Sequence, residues 1–387
     1  MSNNNGFPTP TFTPYGQLPN PHPNMTGNPT NTPPPDLTGH PLPTFSDWRV
    51  AYIGMDGRLH AVSMDGKVSV AGQGLPIQGM ANTGIWTAGL SPDGEHLAYF
   101  NETSLTVADA TLGTQNTYHV DVGDSSIAWS PDQRFVALHN LGYAYTINVA
   151  DGSILIQPAP PKPIAPSPFL GPFGWLDATH VAVTLTTSTS TTTLQSLDVT
   201  SGALRTISTV PGDPKASQIS VTPDGRYSLC TQVGIFSSAP NPVADMINNT
   251  TGSITRLPAI ASTLNAGDGF TQILWRPGFS QAVVATGFAQ NGDLKYFLID
   301  VMTDTVTPLH LPGFPEAWSP NGATLVVATG DQFSNVNGIG FANVGVVGSG
   351  PYTLSALYMN TQGGLSTPVT LTTQAMDIPV LGFVHNP

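Results

Sequence analysis

The chain has 387 residues, only 9% of them charged, and its 24 acids against 11 Lys and Arg give a formal net charge of −13. This balance excludes nucleic acid and anionic membranes as partners, since both are held by clustered Lys and Arg that displace counterions. A lone cysteine, Cys230, excludes an internal disulfide, and no apolar run is long enough to insert into a membrane as a spanning helix.

Residues 1–46 hold twelve prolines and a single charged side chain, Asp36, so they can form neither a helix nor a sheet interior. They read as an extended tail rich in Pro, Asn and Thr, with apolar anchors at Phe7, Phe12, Tyr15, Leu18, Met25, Leu37, Leu42 and Phe45. Such a tail reaches on the order of 140 Å, against a diameter of roughly 50 Å for the remainder, and can touch a neighbouring molecule. Met1 to Gly6 lack the basic and apolar regions of a secretory signal, so export is expected only through a leader already removed or by another route.

Residues 47–387 form the second domain, in which one phrase recurs at intervals of about 40 to 55 residues. The fullest copies are Gly89-Leu90-Ser91-Pro92-Asp93-Gly94, Ala128-Trp129-Ser130-Pro131-Asp132-Gln133, Ser220-Val221-Thr222-Pro223-Asp224-Gly225 and Ala317-Trp318-Ser319-Pro320-Asn321-Gly322. Gly174-Trp175-Leu176-Asp177 lacks the proline, Leu274-Trp275-Arg276-Pro277-Gly278 lacks the acid, and a degenerate Gly382-Phe383-Val384-His385-Asn386-Pro387 closes the chain. Each copy ends a short apolar strand and opens a turn, in which proline fixes φ and the Asp-Gly or Asn-Gly pair supplies a positive φ. All-β repeats of this length predict propeller blades, here at about 85–120, 125–157, 172–209, 217–258, 271–310 and 315–373. No capped, periodic helix is expected.

The first blade offers Arg49 to Ile53, Arg58 to Ser63 and Val68 to Ala71 but lacks an innermost strand, while Ile378 to Val384 is an innermost strand with no partners after it. The two deficits match. The expected fold is therefore an all-β, seven-bladed β-propeller closed by the C-terminal strand, which completes the first blade and leaves no unpaired edge.

The phrase Ala-Trp-Ser-Pro-Asp-Gly followed by an apolar strand resembles the TolB-type propeller repeat, a relative of the WD-type repeat, over residues 48–387. That resemblance implies a fold whose members serve as protein-binding modules, peptidase gating domains and lyases alike. TolB-like peptidases carry a separate hydrolase domain, for which no residues remain.

In this strand order the turns between first and second and between third and fourth strands share one face, and these are expected to be short. The other face receives the long segments: Gly72 to Gly84, Pro158 to Gly171, Val233 to Pro242, Ile260 to Gly269 and Asp331 to Pro351. Long loops on a rigid scaffold build binding surfaces. Phe169 and Leu170 in one, and Phe333, Ile339 and Phe341 in another, make apolar contact points, and with Phe7, Phe12, Tyr15, Leu18 and Phe45 of the tail they are the candidate interaction residues. Asp331 to Pro351 can equally be a β extension of its own blade.

Nothing in the sequence assembles a reaction. His-Glu-x-x-His, Gly-x-Ser-x-Gly and phosphate-cradling Gly-Lys-Ser/Thr motifs are absent. His60, His96, His119, His139 and His180 fall in or beside strands, and Asp65, Asp93, Asp132, Asp151 and Asp224 sit where turns use an acid. No catalytic residue, metal or cofactor is expected. The sequence reads as a non-enzymatic structural or interaction propeller, extracellular or on a cell surface, whose partner is protein: other copies of itself, joined through the tail in rings or filaments. Its rivals are a channel-mouth lyase, lactonase or glycosidase, a carbohydrate-binding propeller, and a periplasmic TolB-like scaffold.

Overall fold

The computed structural model describes residues 48–56, 58–67, 69–74, 88–101, 104–109, 115–119, 127–140, 143–157, 169–186, 191–211, 217–232, 242–264, 270–286, 294–330, 334–335, 346–347, 351–360, 362–375 and 382–385. They form seven four-stranded antiparallel sheets. From the innermost strand outward, blade 1 is Gly382–His385, Trp48–Ile53, Arg58–Ser63 and Ser69–Gly74, and blade 2 is Ala88–Leu90, His96–Asn101, Ser104–Asp109 and Gln115–His119. Blade 3 is Ile127–Trp129, Phe135–Asn140, Tyr143–Asn148 and Ile154–Gln157; blade 4 is Phe169–Trp175, His180–Thr186, Thr191–Asp198 and Leu204–Pro211. Blade 5 runs Ser217–Val221, Tyr227–Gln232, Val243–Asn248 and Ile254–Arg256, and blade 6 runs Phe270–Trp275, Gln281–Thr286, Lys295–Asp300 and Thr305–Leu309. Blade 7 comprises Phe314–Trp318, Thr324–Thr329, Tyr352–Tyr358 and Val369–Ala375.

The ring closes as its termini require. Trp48 pairs with His385, Arg49 with Val384, Val50 with Phe383 and Ala51 with Gly382, so the last strand is the innermost strand of the first blade. Phe383 packs toward blade 7 with Val50, Val326 and Leu354, while Val384 packs toward blade 2 with Ala51, Leu97 and Tyr99. Seven apolar clusters lie one at each of the seven junctions between neighbouring blades, so burial is spread evenly around the ring.

The recurring phrase works through its hydroxyl and its indole. The Ser91, Ser130, Thr222 and Ser319 hydroxyls accept from the backbone N–H of His96, Phe135, Tyr227 and Thr324 at 2.9, 3.0, 3.1 and 2.9 Å. The same hydroxyls donate to Asp93, Asp132, Asp224 and Asn321, whose side chains also accept from the second backbone N–H after them, tying the turn to both strands. The indoles reach backward to the preceding blade. Trp129 donates to the Gly89 carbonyl at 3.0 Å, Trp175 to Ala128 at 3.0 Å, Trp318 to Leu274 at 3.2 Å and Trp275 to the Ser220 hydroxyl at 2.7 Å. Blades 3, 4, 6 and 7 are thus each latched to the one before by a bond that also satisfies a partly buried N–H.

At the fourth turn position Gly225 has φ +70°, and a Cβ there would lie 1.9 Å from the Leu176 carbonyl oxygen of blade 4. In blade 3 the same position is Gln133, held at φ 63°. Gln133→Gly should relieve the left-handed strain and stabilise by about 0.5–1 kcal/mol, less than the full strain because glycine gains more freedom on unfolding. A higher urea midpoint at unchanged slope is the expected reading; a lower midpoint would show that the glutamine side chain contributes more than its backbone costs.

Three features differ from the sequence-based expectation. Blade 4 begins at Phe169, so Phe169 and Leu170 belong to a strand, paired with Leu185 and Thr184, and not to a loop. A one-turn helix, Pro258–Ala261, follows blade 5; its first N–H groups, of Ala259 and Ile260, are capped at 3.0 and 3.1 Å by the Asp304 carboxylate of blade 6. The connection between the third and fourth strands of blade 7 spans residues 359–368, longer than the tight turns expected on that face. Within Asp331 to Pro351, Ser334 and Asn335 pair with Val347 and Val346, a short β ladder of the kind that the alternative reading of this segment as a β extension calls for.

Candidate functional site

A propeller can present function on its channel wall, its turns or its rim. On the channel wall the innermost strands of blades 5 and 6 carry Gln218 and Gln272, both buried. Each spends its amide on the next blade: Gln218 donates to the Phe270 carbonyl at 3.0 Å and Gln272 to the Pro315 carbonyl at 2.7 Å. Arg276, the cation that follows the innermost strand of blade 6, is 3% exposed. Its guanidinium donates to Gly322 O, Gln281 Oε1, Asn360 O and Met359 O at 2.6 to 3.0 Å and lies 4.1 Å over the Phe279 ring. Burial pulls it down to about 10, so it stays charged at any physiological pH and serves as a rivet between blades 6 and 7. Glu316 is the one acid on a described innermost strand. It sits at a register shift between Pro315 and Ala317, and its Oε1 is sealed from solvent without a hydrogen-bond partner. Burial pushes this carboxyl up to about 8.

The acids of the turns are committed to backbone. Asn148, Asp198, Asn248 and Asp300 end the third strands of blades 3 to 6 and Asn360 lies two residues past that of blade 7, and each accepts from the N–H two residues on. The Thr200 hydroxyl, against some desolvation, holds Asp198 at about 2. Asn249 is buried between Ser228 and the Gly225 carbonyl. His60 pairs with Asp56 and His180 with Asp177, both at 2.9 Å, and the described residues contain no group of three or more His, Cys, Asp or Glu that could hold a metal. Cys230 is fully buried, its thiol pushed up to about 12 by desolvation and then by Asp245, which makes it unreactive.

The rim is different. Between blades 6 and 7 lies a cleft of about 520 Å³. Tyr296 from the third strand of blade 6 and Leu311 and Pro312 from the exit of its last strand face Leu365 of the long blade 7 connection. Tyr296, Leu311 and Leu365 rest on the blade 6–7 apolar cluster, while the Phe297 side chain packs toward blade 5. Proline is tolerated at 308 because the strand is an edge, where a missing donor leaves no ladder bond unmade. Tyr296 is pushed up to about 12 by burial and, secondarily, by Glu316, so the cleft meets a neutral phenol. Lys295 and His310 are its exposed polar margin.

Of the residues singled out from the sequence, Phe7, Phe12, Tyr15, Leu18, Phe45, Phe333, Ile339 and Phe341 lie outside the described residues. Phe169 and Leu170 are on the innermost strand of blade 4, and neither lines the rim cleft.

No family model matches the chain, and no curated protein matches it. Solved structures do. A putative 6-phosphogluconolactonase from Bacteroides fragilis superposes with a TM-score of 0.52 at 13% identity, covering 90% of this chain and 100% of that one. An oligogalacturonate lyase in complex with manganese gives 0.51 at 13% identity, covering 80% and 83%. TolB from Acinetobacter baumannii gives 0.43 at 13% identity, covering 90% of this chain and 69% of that one. The likeness is one of fold. The described residues form a seven-bladed propeller, and at such identities the chemistry of any one neighbour does not transfer.

Proposed function

We propose that this protein is a non-enzymatic propeller acting by protein contact, a structural subunit whose Pro-rich tail lies across a neighbouring copy in an extracellular or cell-surface assembly. The observation that carries the reading is the division of polar from apolar groups. The cation and the amides of the wall are engaged in holding blades together and the turn acids in holding their own turns, while the rim offers a sizeable apolar cleft. Apolar, preformed concavities favour binding over acid–base chemistry. A tail meeting a distant surface on the next molecule is a heterologous contact, which closes as a ring or continues as a filament according to the rotation.

The rival with an observation behind it is a channel-wall enzyme using Glu316, since a carboxyl held near 8 suits proton transfer. It stands alone, however, without a described second acid, base or cation free to converge on it. Deleting residues 1–46 tests the leading reading. Sedimentation velocity and electron microscopy should show full-length protein as rings or polymers and the shortened chain as single discs; an assembly that survives the deletion, or a full-length chain that stays monomeric at every concentration, rejects it.

A further inference from the structure

We propose that the cleft between blades 6 and 7 receives the segment Pro33-Pro34-Pro35-Asp36-Leu37 of a second copy, with Asp36 placed against Lys295. This rests on the self-contact reading above and adds the receptor surface to it.

The cleft is built before anything enters it. Tyr296 and Phe297 are cross-strand partners of Leu309 and Pro308. The opposite lip is braced by the bridge between Met359 and Leu365, by Gly364 N donating to Asn360 Oδ1 at 2.8 Å and by Ser366 N donating to Tyr358 O at 2.9 Å. At about 520 Å³ it has the size of a small-ligand or short-peptide site. Aromatic and proline walls of this kind suit an extended polyproline helix, which brings its shape ready-made and loses little entropy on docking. With three residues per turn, Pro34 and Leu37 share one edge of such a helix and Pro33 and Asp36 share another. The first edge can face the apolar walls while the second presents a carboxylate at the margin.

Charge narrows the choice. Copies carrying −13 repel one another, so a contact between them has to use a nearly neutral segment and a locally cationic receptor. Residues 1–46 carry one charge, Asp36. Lys67, Arg134, Arg226 and Arg256 each pair with a carboxylate, and Arg276 is buried among carbonyl oxygens. Arg49, Arg58 and Arg205 belong to blades 1 and 4 and do not line the cleft. Lys295 is exposed at the cleft margin with no ion-pair partner among the described residues.

Sedimentation equilibrium on the full chain tests this. Lys295→Glu and Asp36→Lys should each weaken self-association by about threefold to tenfold, and the two together should restore it to within about twofold, because the pair is re-formed with its sign exchanged. Leu311→Asp at the apolar wall should weaken it by at least about tenfold. Because Leu311 is partly buried on the blade 6–7 apolar cluster, some loss of melting temperature is expected, and an unchanged far-ultraviolet spectrum with a melting temperature well above that of the assay shows an intact fold. No rescue by the double reversal, or normal association of Leu311→Asp, overturns the assignment of the cleft. If deletion of residues 1–46 still dissolves the assembly in that case, the tail keeps its role and only the receptor is wrong. Reversals that couple in thermal stability while the chain stays monomeric mean docking within one molecule, which also overturns it.

Discussion

Arg276→Met should destabilise the propeller by about 3–5 kcal/mol, the largest loss expected from any single side chain at a blade junction. The guanidinium replaces the hydroxyl used by other copies of the turn, and it satisfies three backbone carbonyls and the Gln281 side chain at once. Methionine fills much of the volume between Phe279 and Trp318 but donates nothing, leaving acceptors on both blades unpaired in a buried place. Each orphan costs about 1–3 kcal/mol, partly recovered where water enters. Arg276→Lys keeps the charge yet offers a single ammonium in place of a planar fork, so it should fall between wild type and Arg276→Met. Urea unfolding of the three proteins checks the order. A loss below about 1 kcal/mol for Arg276→Met would mean that the carbonyls find water readily and that the junction is held by its apolar cluster alone.

The blades were legible because their signal is local and repeated. The Ser-Pro-Asp-Gly turn requires its hydroxyl, its acid and its positive φ within a few residues, so each copy announces itself. Closure was legible for a different reason: Trp48 begins a blade without an innermost strand and Gly382–His385 supplies one. What escaped notice depends on residues far apart in the chain. The cap on Pro258–Ala261 comes from Asp304, more than forty residues on, and no local pattern betrays it. The rim cleft forms where Leu311 and Pro312 meet Leu365 across a blade junction, so neither half looks like a site alone. The Asn or Asp that ends the third strands of blades 2 to 6, as at Asn148, Asp198 and Asn248, was a readable period, masked by its variation between acid and amide. Glu316 was missed because the register shift beside it breaks the alternation that otherwise assigns residues to faces.

That acid gives the second large expectation. Glu316 has its carboxyl raised from 4.5 to about 8 by desolvation. The proton is therefore held more tightly folded than unfolded, so the favourable contribution is complete below about pH 4.5 and is lost progressively as pH rises to about 8. At 1.36 kcal/mol per pH unit the full span would be about 5 kcal/mol, and the partial exposure of the residue brings the expected loss to about 2–3 kcal/mol. The nearest titrating neighbour, Tyr296, is itself raised to about 12 and stays neutral throughout that window, so it adds no compensating charge. Glu316→Gln removes the titration while keeping the shape. Its stability should match wild type at pH 4 and exceed it by about 2–3 kcal/mol at pH 9, read as the difference between two urea series so that all other groups cancel. A difference that is the same at both ends of the range would mean that the carboxyl is ionised and solvated in the folded ring, and it would also remove the one raised acid on which a channel-wall proton donor could be built.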